Sequence, residues 1–326
     1  MHSMFGGMFP AFQGMGCPFT FAMEAFGFNT GSFRATIIDM PESPDDIDFP
    51  EQTGNGIPTA VFHGMGDACV YGGMRSIDKM ISKGTGAYVK CIEVGLPTFG
   101  EVLANMETVA ETTCEKVKAD KHFQGEFNVM GLSQGGLLAR YIVEECDMPG
   151  TVRNVLTLGG PHMGVDGIPN CPSGMMCDIM NFIAKRFVYM KVVQDHFAPA
   201  GYFRNVNNMK AYEDKAVFLP ALNNEMPSDN GKAGVRKQAF SDINAMMAVM
   251  FSEDTMLNPK ETAWFQQYDK KGNVQPLKES EFYLEDKIGL KTLMDADKVQ
   301  FVQFEGNHLQ FTTEDINNTL IPFLMS

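Results

Sequence analysis

The sequence is constrained most by an alternation of strand and helix patterns between residues 59 and 158. Short apolar runs typical of buried strands occur at residues 59–62, 127–130 and 154–158, and residues 88–94 show the alternation of a strand. Helical spacing of apolar residues occurs between them, at residues 73–83, 100–119 and 135–146. Because a strand, a helix and a second strand in succession build a parallel pair, the alternation predicts a mostly parallel sheet flanked by helices.

The alternation breaks after residue 160. Residues 162–244 are rich in Pro, Asn, Met and Phe, and we interpret them as an inserted lid subdomain. The apolar run Ala245–Phe251 then resumes the strand pattern. A further strand at 298–304 and a helix near 314–323 complete the predicted sheet.

The first 56 residues differ in character from the rest. They end in an acidic stretch with several prolines, residues 34–56, which is typical of a linker or surface arm. We therefore predict an N-terminal arm and linker over 1–56, which could hold a targeting segment, and one α/β domain over 57–326. The folded core is expected to begin near Pro58.

Composition excludes several classes of protein. The formal net charge is -14, and basic residues form no run that could neutralise successive phosphates, so nucleic acid is not an expected partner. No apolar stretch reaches the length of a transmembrane helix. The first 30 residues lack a positive n-region and are interrupted by Pro and Gly, so a standard signal peptide is not visible.

Seven cysteines are spread along the chain without a C-x-x-C pair or the His spacing of a structural zinc site, and no metal is expected. Cys171 and Cys177 flank a Pro-Ser-Gly turn. They are either a small disulfide loop or buried thiols, and their spacing does not decide between the two. Because seven is odd, at least one thiol stays free or pairs between molecules.

The motif that carries chemistry is Gly131-Leu132-Ser133-Gln134-Gly135, which fits G-x-S-x-G between a strand and a helix. A serine on this sharp turn has a strained backbone, and the glycines remove Cβ atoms that would collide with neighbouring elements. The alternative is a glycine-rich turn with an inactive serine. The strand before the motif and the helix after it favour the nucleophile turn of the α/β-hydrolase fold.

A serine nucleophile needs a histidine base and a carboxylate that orients it. The fold places these partners in the order serine, acid, histidine, which leaves His162, His196 and His308 as candidate bases. We predict His308, because it alone follows the last core strand. His162 is the strongest competitor, and His196 lies in the predicted lid.

The acid is predicted from its distance to a strand end. Asp254 follows the strand Ala245–Phe251 by three residues, where a side chain can reach a loop at the same sheet edge. Glu253 would point away if Asp254 points inward, and Asp242 precedes the strand. Asp254 is therefore the predicted acid.

An oxyanion hole needs two backbone N–H groups, one of them from the residue after the nucleophile. That residue is Gln134, and the second donor is predicted to be Met65 in the loop His63-Gly64-Met65-Gly66-Asp67. The glycines of this loop would let its backbone approach the substrate. The alternative interpretation of this loop is a tight turn without function.

Several motifs in the same order resemble palmitoyl-protein thioesterases. They are HGMGDAC ending at Cys69, GLSQGG around Ser133, CPSGMMCD from Cys171, KVVQ from Lys191 and GNHLQ around His308. The resemblance covers residues 57–324, including both the core and the predicted lid.

The resemblance implies hydrolysis of the thioester between a long-chain fatty acyl group and a protein cysteine, with no cofactor and with S-acylated proteins as substrates. It implies a triad of Ser133, Asp254 and His308, with Met65 and Gln134 as oxyanion donors. It also implies an acyl groove that involves Val192, Val193, Met256 and Leu257. Two disulfides are implied as well, Cys114 with Cys146 and Cys171 with Cys177. A lysosomal or secreted location is expected of such an enzyme.

The chain departs from the family pattern at one cysteine. Where the family has adjacent cysteines, this chain has Cys69-Val70, so that linkage cannot form. Its single N-x-S/T sequon begins at Asn317. The competing functions are a lipase or carboxylesterase that acts on oxygen esters, and a catalytically silent acyl-binding protein.

Overall fold

A computed structural model describes residues 34–39, 56–94, 104–167, 184–226, 228 and 231–326. The strands are β1 (Thr36–Ile37), β2 (Thr59–Phe62), β3 (Val89–Ile92), β4 (Glu126–Leu132), β5 (Thr151–Leu158), β6 (Ala245–Phe251), β7 (Gln267–Tyr268), β8 (Val274–Gln275), β9 (Val299–Phe304) and β10 (Gln310–Phe311). Six of them form a central sheet in the order β3-β2-β4-β5-β6-β9. All five pairings in it are parallel, which confirms the predicted sheet.

Helices cover this sheet and fill the segments between its strands. Those between β2 and β5 are α1 (Gly72–Thr85), α2 (Met106–Lys118) and α3 (Gln134–Glu144). Those between β5 and β6 are α4 (Lys191–His196), α5 (Met209–Lys215), α6 (Leu219–Leu222) and α7 (Ala233–Ser241). The last are α8 (Glu281–Leu284), α9 (Leu290–Asp295), α10 (Thr313–Asp315) and α11 (Ile321–Met325), with a π-helical turn at Ile316–Leu320. Within the described ranges, no helix has the length and apolar character that a membrane span requires.

Helix α2 begins later than the pattern at 100–119 predicts. Asn105 caps it, since its side chain accepts a hydrogen bond from the backbone N–H of Glu107 at 2.8 Å. Asparagine at this position satisfies an N–H group that has no partner inside the helix. The cap therefore fixes the helix start at Met106.

Strand β6 shows why the strands are apolar without interruption. Met246, Ala248 and Met250 face one hydrophobic core. Their neighbours Met247, Val249 and Phe251 face a second core on the other side of the sheet. Since successive side chains of a strand point to opposite faces, a sheet covered on both sides needs apolar residues at every position.

Residues 34–39 are not part of a free arm, which corrects the expectation that the folded core begins near Pro58. Strand β1 pairs with β10 in parallel, and Ala35 and Ile37 are buried in the second core. The backbone N–H of Ala35 donates to the carboxylate of Asp67, and that of Thr36 donates to the carbonyl of Leu309. A two-residue strand with one buried side chain is too short to show a period in the sequence.

Two disulfides are present among the described residues. Cys114 and Cys146 join α2 to the end of α3, the pairing that the family resemblance implies. Cys69 is bonded to Cys91 on β3, 22 residues away, a pairing that the sequence did not indicate. The predicted pair of Cys171 and Cys177 lies outside the described residues.

Substitutions next to and within β1 test whether residues 34–39 belong to the folded domain. We expect Ile37→Ala to lower the free energy of unfolding by about 2 kcal/mol, because it removes buried methyl groups and leaves a cavity that the surrounding residues fill only partly. The adjacent Ile38→Ala should change it by less than about 0.5 kcal/mol, because Ile38 is 59% exposed. Urea unfolding followed by fluorescence measures both. Equal values for the two variants would show that residues 34–39 are not part of the folded unit.

Candidate active site

Ser133 lies on the turn between β4 and α3, with a φ of 53° and a ψ of -123°. A non-glycine residue with positive φ is rare and strained, and such residues concentrate at functional sites. A Cβ at Gly131 would lie 2.2 Å from the carbonyl oxygen of Gly135, and one at Gly135 would lie 2.2 Å from that of Phe62. Both glycines therefore have the steric cause that the motif predicts.

His308 and Asp254 meet Ser133 at the carboxyl edge of the sheet. The His308 Nε2 atom lies 2.9 Å from Ser133 Oγ, and its Nδ1 atom lies 2.6 Å from Asp254 Oδ2. All three residues follow the ends of parallel strands, β4, β6 and β9, which explains why they share one edge. The tautomer that carries its proton on Nδ1 would donate it to the carboxylate, and would leave Nε2 as an acceptor for the serine hydroxyl.

Asp254 is held in place by the backbone that follows it. It is 8% exposed, and its Oδ1 atom accepts hydrogen bonds from the N–H groups of Met256 at 2.8 Å and Leu257 at 3.0 Å. Oδ1 is thereby occupied while Oδ2 faces the imidazole. The predicted groove residues Met256 and Leu257 thus also orient the acid, a role that the sequence did not reveal.

Asn307 connects the loop of the histidine with the loop of the acid. Its Oδ1 atom accepts hydrogen bonds from the N–H of His308 at 2.7 Å and from the N–H of Thr255 at 3.1 Å. Its own N–H donates to the side chain of Gln310. Sequence reasoning missed this residue, although an amide next to the predicted base is a signal that could have found it.

Gly159 makes room for the imidazole. It has a φ of +59°, and a Cβ there would lie 2.8 Å from the Cε1 atom of His308. Its N–H donates to the carbonyl of Val249, which fixes the backbone at this position. A glycine directly after a central strand is the sequence signal that indicates this position.

The predicted oxyanion donors lie in the two segments that flank the serine. Gln134 is the first residue of α3, so its N–H points out of the helix end. Met65 lies in the loop after β2, beside Gly64, where a Cβ would be 3.0 Å from the Cβ of Ser133. Within the described part of the chain, neither the N–H of Met65 nor that of Gln134 donates a hydrogen bond.

His63 holds the loop that carries Met65. It is fully buried, its Nδ1 atom lies 2.9 Å from the carbonyl oxygen of Gly64, and its Nε2 atom accepts the N–H of Val94 at 3.0 Å. The ligand-type atoms of His63, Cys69 and Glu93 lie within 4.8 Å of one another. Because Cys69 is oxidised in the disulfide with Cys91, it offers no thiolate for a metal.

The other histidine candidates are not at the serine. His162 is fully buried, its Nε2 atom lies 2.9 Å from the hydroxyl of Thr157, and its ring stacks on Phe265. Burial holds the pKa of His162 well below its usual value, so this ring stays neutral. His196 lies at the surface at the end of α4. The other two candidate acids, Glu253 and Asp242, are both exposed, whereas Asp254 is buried.

The four predicted groove residues lie in two places. Met256 and Leu257 are buried beside Asp254. Val193 is partly buried against the first core, whereas its neighbour Val192 on α4 is 57% exposed. The adjacent Gln194 is buried, and its amide donates to the carbonyls of Val188 and Ala200 at 2.8 Å each. The KVVQ motif therefore contains a structural anchor.

The parallel sheet, the strained serine turn and the acid and histidine at one edge define an α/β hydrolase. The family model described as Palmitoyl protein thioesterase matches residues 58–308, and the chain belongs to that family. A solved monoacylglycerol lipase from Paleococcus ferrophilus covers 83% of this chain and 96% of its own, with 11% identity and a TM-score of 0.45.

Curated relatives agree with the family. Palmitoyl-protein thioesterase 1 of Caenorhabditis elegans is 30% identical over 81% of this chain and 90% of its own length. Palmitoyl-protein thioesterase 3 of Dictyostelium discoideum is 29% identical over 73% of this chain and 82% of its own. Lysosomal thioesterase PPT2 of Mus musculus is 24% identical over 86% of this chain and 89% of its own.

The close approach of Gly64 to the serine generates a prediction. We expect Gly64→Ala to slow labelling of Ser133 by a fluorophosphonate probe at least about tenfold, since the added methyl must displace the serine or its loop. Gly72→Ala is the matched control, because a Cβ there meets nothing within 4 Å. Labelling rates at equal folded concentration measure the effect, and equal rates for the two variants would contradict it.

Proposed function

We propose that this chain hydrolyses the thioester between a long-chain fatty acyl group and a cysteine of an S-acylated protein. The observation that carries the proposal is the continuous chain of hydrogen bonds from Ser133 through His308 to Asp254, in a member of the Palmitoyl protein thioesterase family. A serine that is hydrogen-bonded to a base, which is in turn oriented by an acid, is equipped for acyl transfer. A silent acyl-binding protein would have no use for this arrangement.

In the first half of the reaction, His308 removes the proton of Ser133 as the serine oxygen attacks the thioester carbonyl carbon. The resulting imidazolium is stabilised by Asp254, whose carboxylate lies 2.6 Å from Nδ1. The N–H groups of Met65 and Gln134 bind the oxyanion of the tetrahedral intermediate. Collapse of the intermediate breaks the carbon–sulfur bond and leaves the acyl group on the serine.

The leaving thiolate takes the proton that His308 received from Ser133. A thiol with a pKa of about 8.5 leaves as a thiolate more readily than an alcohol leaves as an alkoxide, so the site needs little acid assistance for this step. Water then enters, His308 removes its proton, and the oxygen of the water attacks the acyl carbon. Collapse breaks the bond to the serine oxygen, which takes the proton back from His308, so that the fatty acid is released and Ser133 is restored. These steps require no metal and no organic cofactor.

The acyl chain is proposed to lie in a groove between the acid loop and the segment inserted between β5 and β6. Met256 and Leu257 would line its inner part, because they are apolar and directly follow Asp254. Val193 and Val192 on α4 would continue it outward, Val192 being the most exposed of the four. Residues 162–244 are accordingly proposed to be a lid and acyl-binding subdomain.

A lysosomal or secreted location is proposed on two grounds. The mouse relative carries the name of a lysosomal thioesterase. The disulfides of Cys69 with Cys91 and Cys114 with Cys146 fit an oxidising compartment, since such bonds are rare where thiols are kept reduced.

Turnover of a palmitoyl thioester tests the proposal. Ser133→Ala should lower kcat by about 10³-fold or more, because it removes the oxygen that forms the acyl-enzyme. Ser82→Ala is the control, since Ser82 lies on α1 and its hydroxyl donates to the carbonyl of Ala87, just beyond the end of that helix. Full turnover by the Ser133 variant would end the proposal.

The acyl-length dependence of the same assay tests the groove and the competing esterase function. With one leaving thiol, kcat/KM should rise with chain length by up to about fourfold per methylene, the upper limit set by roughly 0.8 kcal/mol of burial each. The matching oxygen ester should react more slowly. A maximum on acetyl substrates, or faster turnover of the oxygen ester, would favour a carboxylesterase.

A further inference from the structure

The segment 184–196 presents apolar side chains to solvent at three nearby positions. Phe187 is 48% exposed, Met190 is 42% exposed and Val192 is 57% exposed. The N–H of Met190 donates to the carbonyl of Phe187 at 2.9 Å, so the first two lie on one turn. Arg186 and Lys191 are exposed beside them, and we call these five residues the docking patch.

The side chains of the docking patch stay exposed because neighbouring residues of the same segment are bound to the protein interior. Val188 is 6% exposed and packs in the first core. The hydroxyl of Tyr189 donates to the carbonyl of Phe203 and accepts the N–H of Asn205. Gln194 is fixed on the inner side as well, and its Oε1 atom accepts the N–H of Val217. With these inward groups held, the apolar side chains of the patch cannot turn into the core.

The charge of the segment is opposite to that of the chain. Lys185, Arg186 and Lys191 are cationic, whereas the whole protein has a formal net charge of -14. Two carboxylates offset part of this charge: Asp166 pairs with Lys185, and Asp195, within the segment, pairs with Lys191. Arg186 forms no ion pair with any described residue, and Lys191 keeps 87% of its side chain exposed. The segment therefore carries a small excess of positive charge on an acidic protein.

We propose that the docking patch binds the surface of an anionic lipid bilayer. Exposed apolar side chains next to Lys and Arg are the combination that inserts into the headgroup region, with the cations facing anionic lipid. A second protein chain fits less well. A stable protein interface buries about 800 Å² per partner, far more than three half-exposed side chains can supply.

Binding through the docking patch would place the candidate active site close to the membrane. The anchored segment continues into the turn Ala198–Tyr202, and the Tyr202 hydroxyl donates to the Gln134 side chain, next to Ser133, at 3.1 Å. Val192, the outer end of the proposed groove, is itself in the patch. A fatty acyl chain embedded in the bilayer would then enter the groove from the surface on which the protein rests. The binding itself does not depend on hydrolysis.

Sedimentation of the full chain with phosphatidylcholine vesicles, with and without phosphatidylserine, tests the proposal. The wild-type protein should bind the anionic vesicles, and added NaCl should weaken this binding. The double variant Phe187→Ser/Met190→Ser, and separately Arg186→Glu, should each bind about tenfold more weakly. The matched control Val235→Ser/Leu284→Ser should bind as wild type does, although Val235 and Leu284 are 68% and 63% exposed.

Two further measurements separate this proposal from folding and from the proposed hydrolysis. All variants should keep the wild-type melting temperature and the wild-type turnover of a soluble short-chain thioester, since no substituted residue contacts Ser133. No binding of the wild type to anionic vesicles, or equal binding by the wild type and the patch variants, would overturn the proposal. So would self-association of the wild type without vesicles that the double variant abolishes.

Discussion

The proposed reaction depends on the hydrogen bond between His308 Nε2 and Ser133 Oγ. This bond joins residues 175 positions apart. The parallel sheet makes it possible. Phe62 is in register with Gly131, and Phe251 with Phe304, so the loops after β2, β4, β6 and β9 leave the same edge. A sheet with an antiparallel strand among these four would send one loop to the opposite edge.

Sheet register alone does not orient the side chains, and a layer of supporting contacts does so. Asn307 ties the histidine loop to the acid loop, and Gly159 leaves space for the imidazole. The segment at β1 is bonded to both sides of the site. The N–H of Ala35 donates to Asp67 in the loop beyond Met65, and the N–H of Thr36 donates to the carbonyl of Leu309 next to His308. The segment that looks like a linker in sequence thus supports the machinery of the proposed reaction.

The parts of the fold and of the candidate site that can be predicted are those whose cause lies in a short stretch of sequence. Strands β2 and β6 were predicted to the residue because buried strands are continuous apolar runs, and Ser133 lies in a motif whose spacing has a steric cause. The partner of Cys69 and the pairing of β1 could not be predicted, because both depend on contacts between distant segments. The hairpin of β7 and β8 was missed too, since two-residue strands show no period.

Mass spectrometry of the protein quenched during turnover of a palmitoyl thioester tests the proposed acyl-enzyme most directly. If Ser133 attacks the acyl carbon, the peptide that contains it will carry the mass of a palmitoyl group, and the adduct will disappear once substrate is exhausted. An acyl adduct on any other residue, or continued hydrolysis in Ser133→Ala without an adduct, would contradict the central claim.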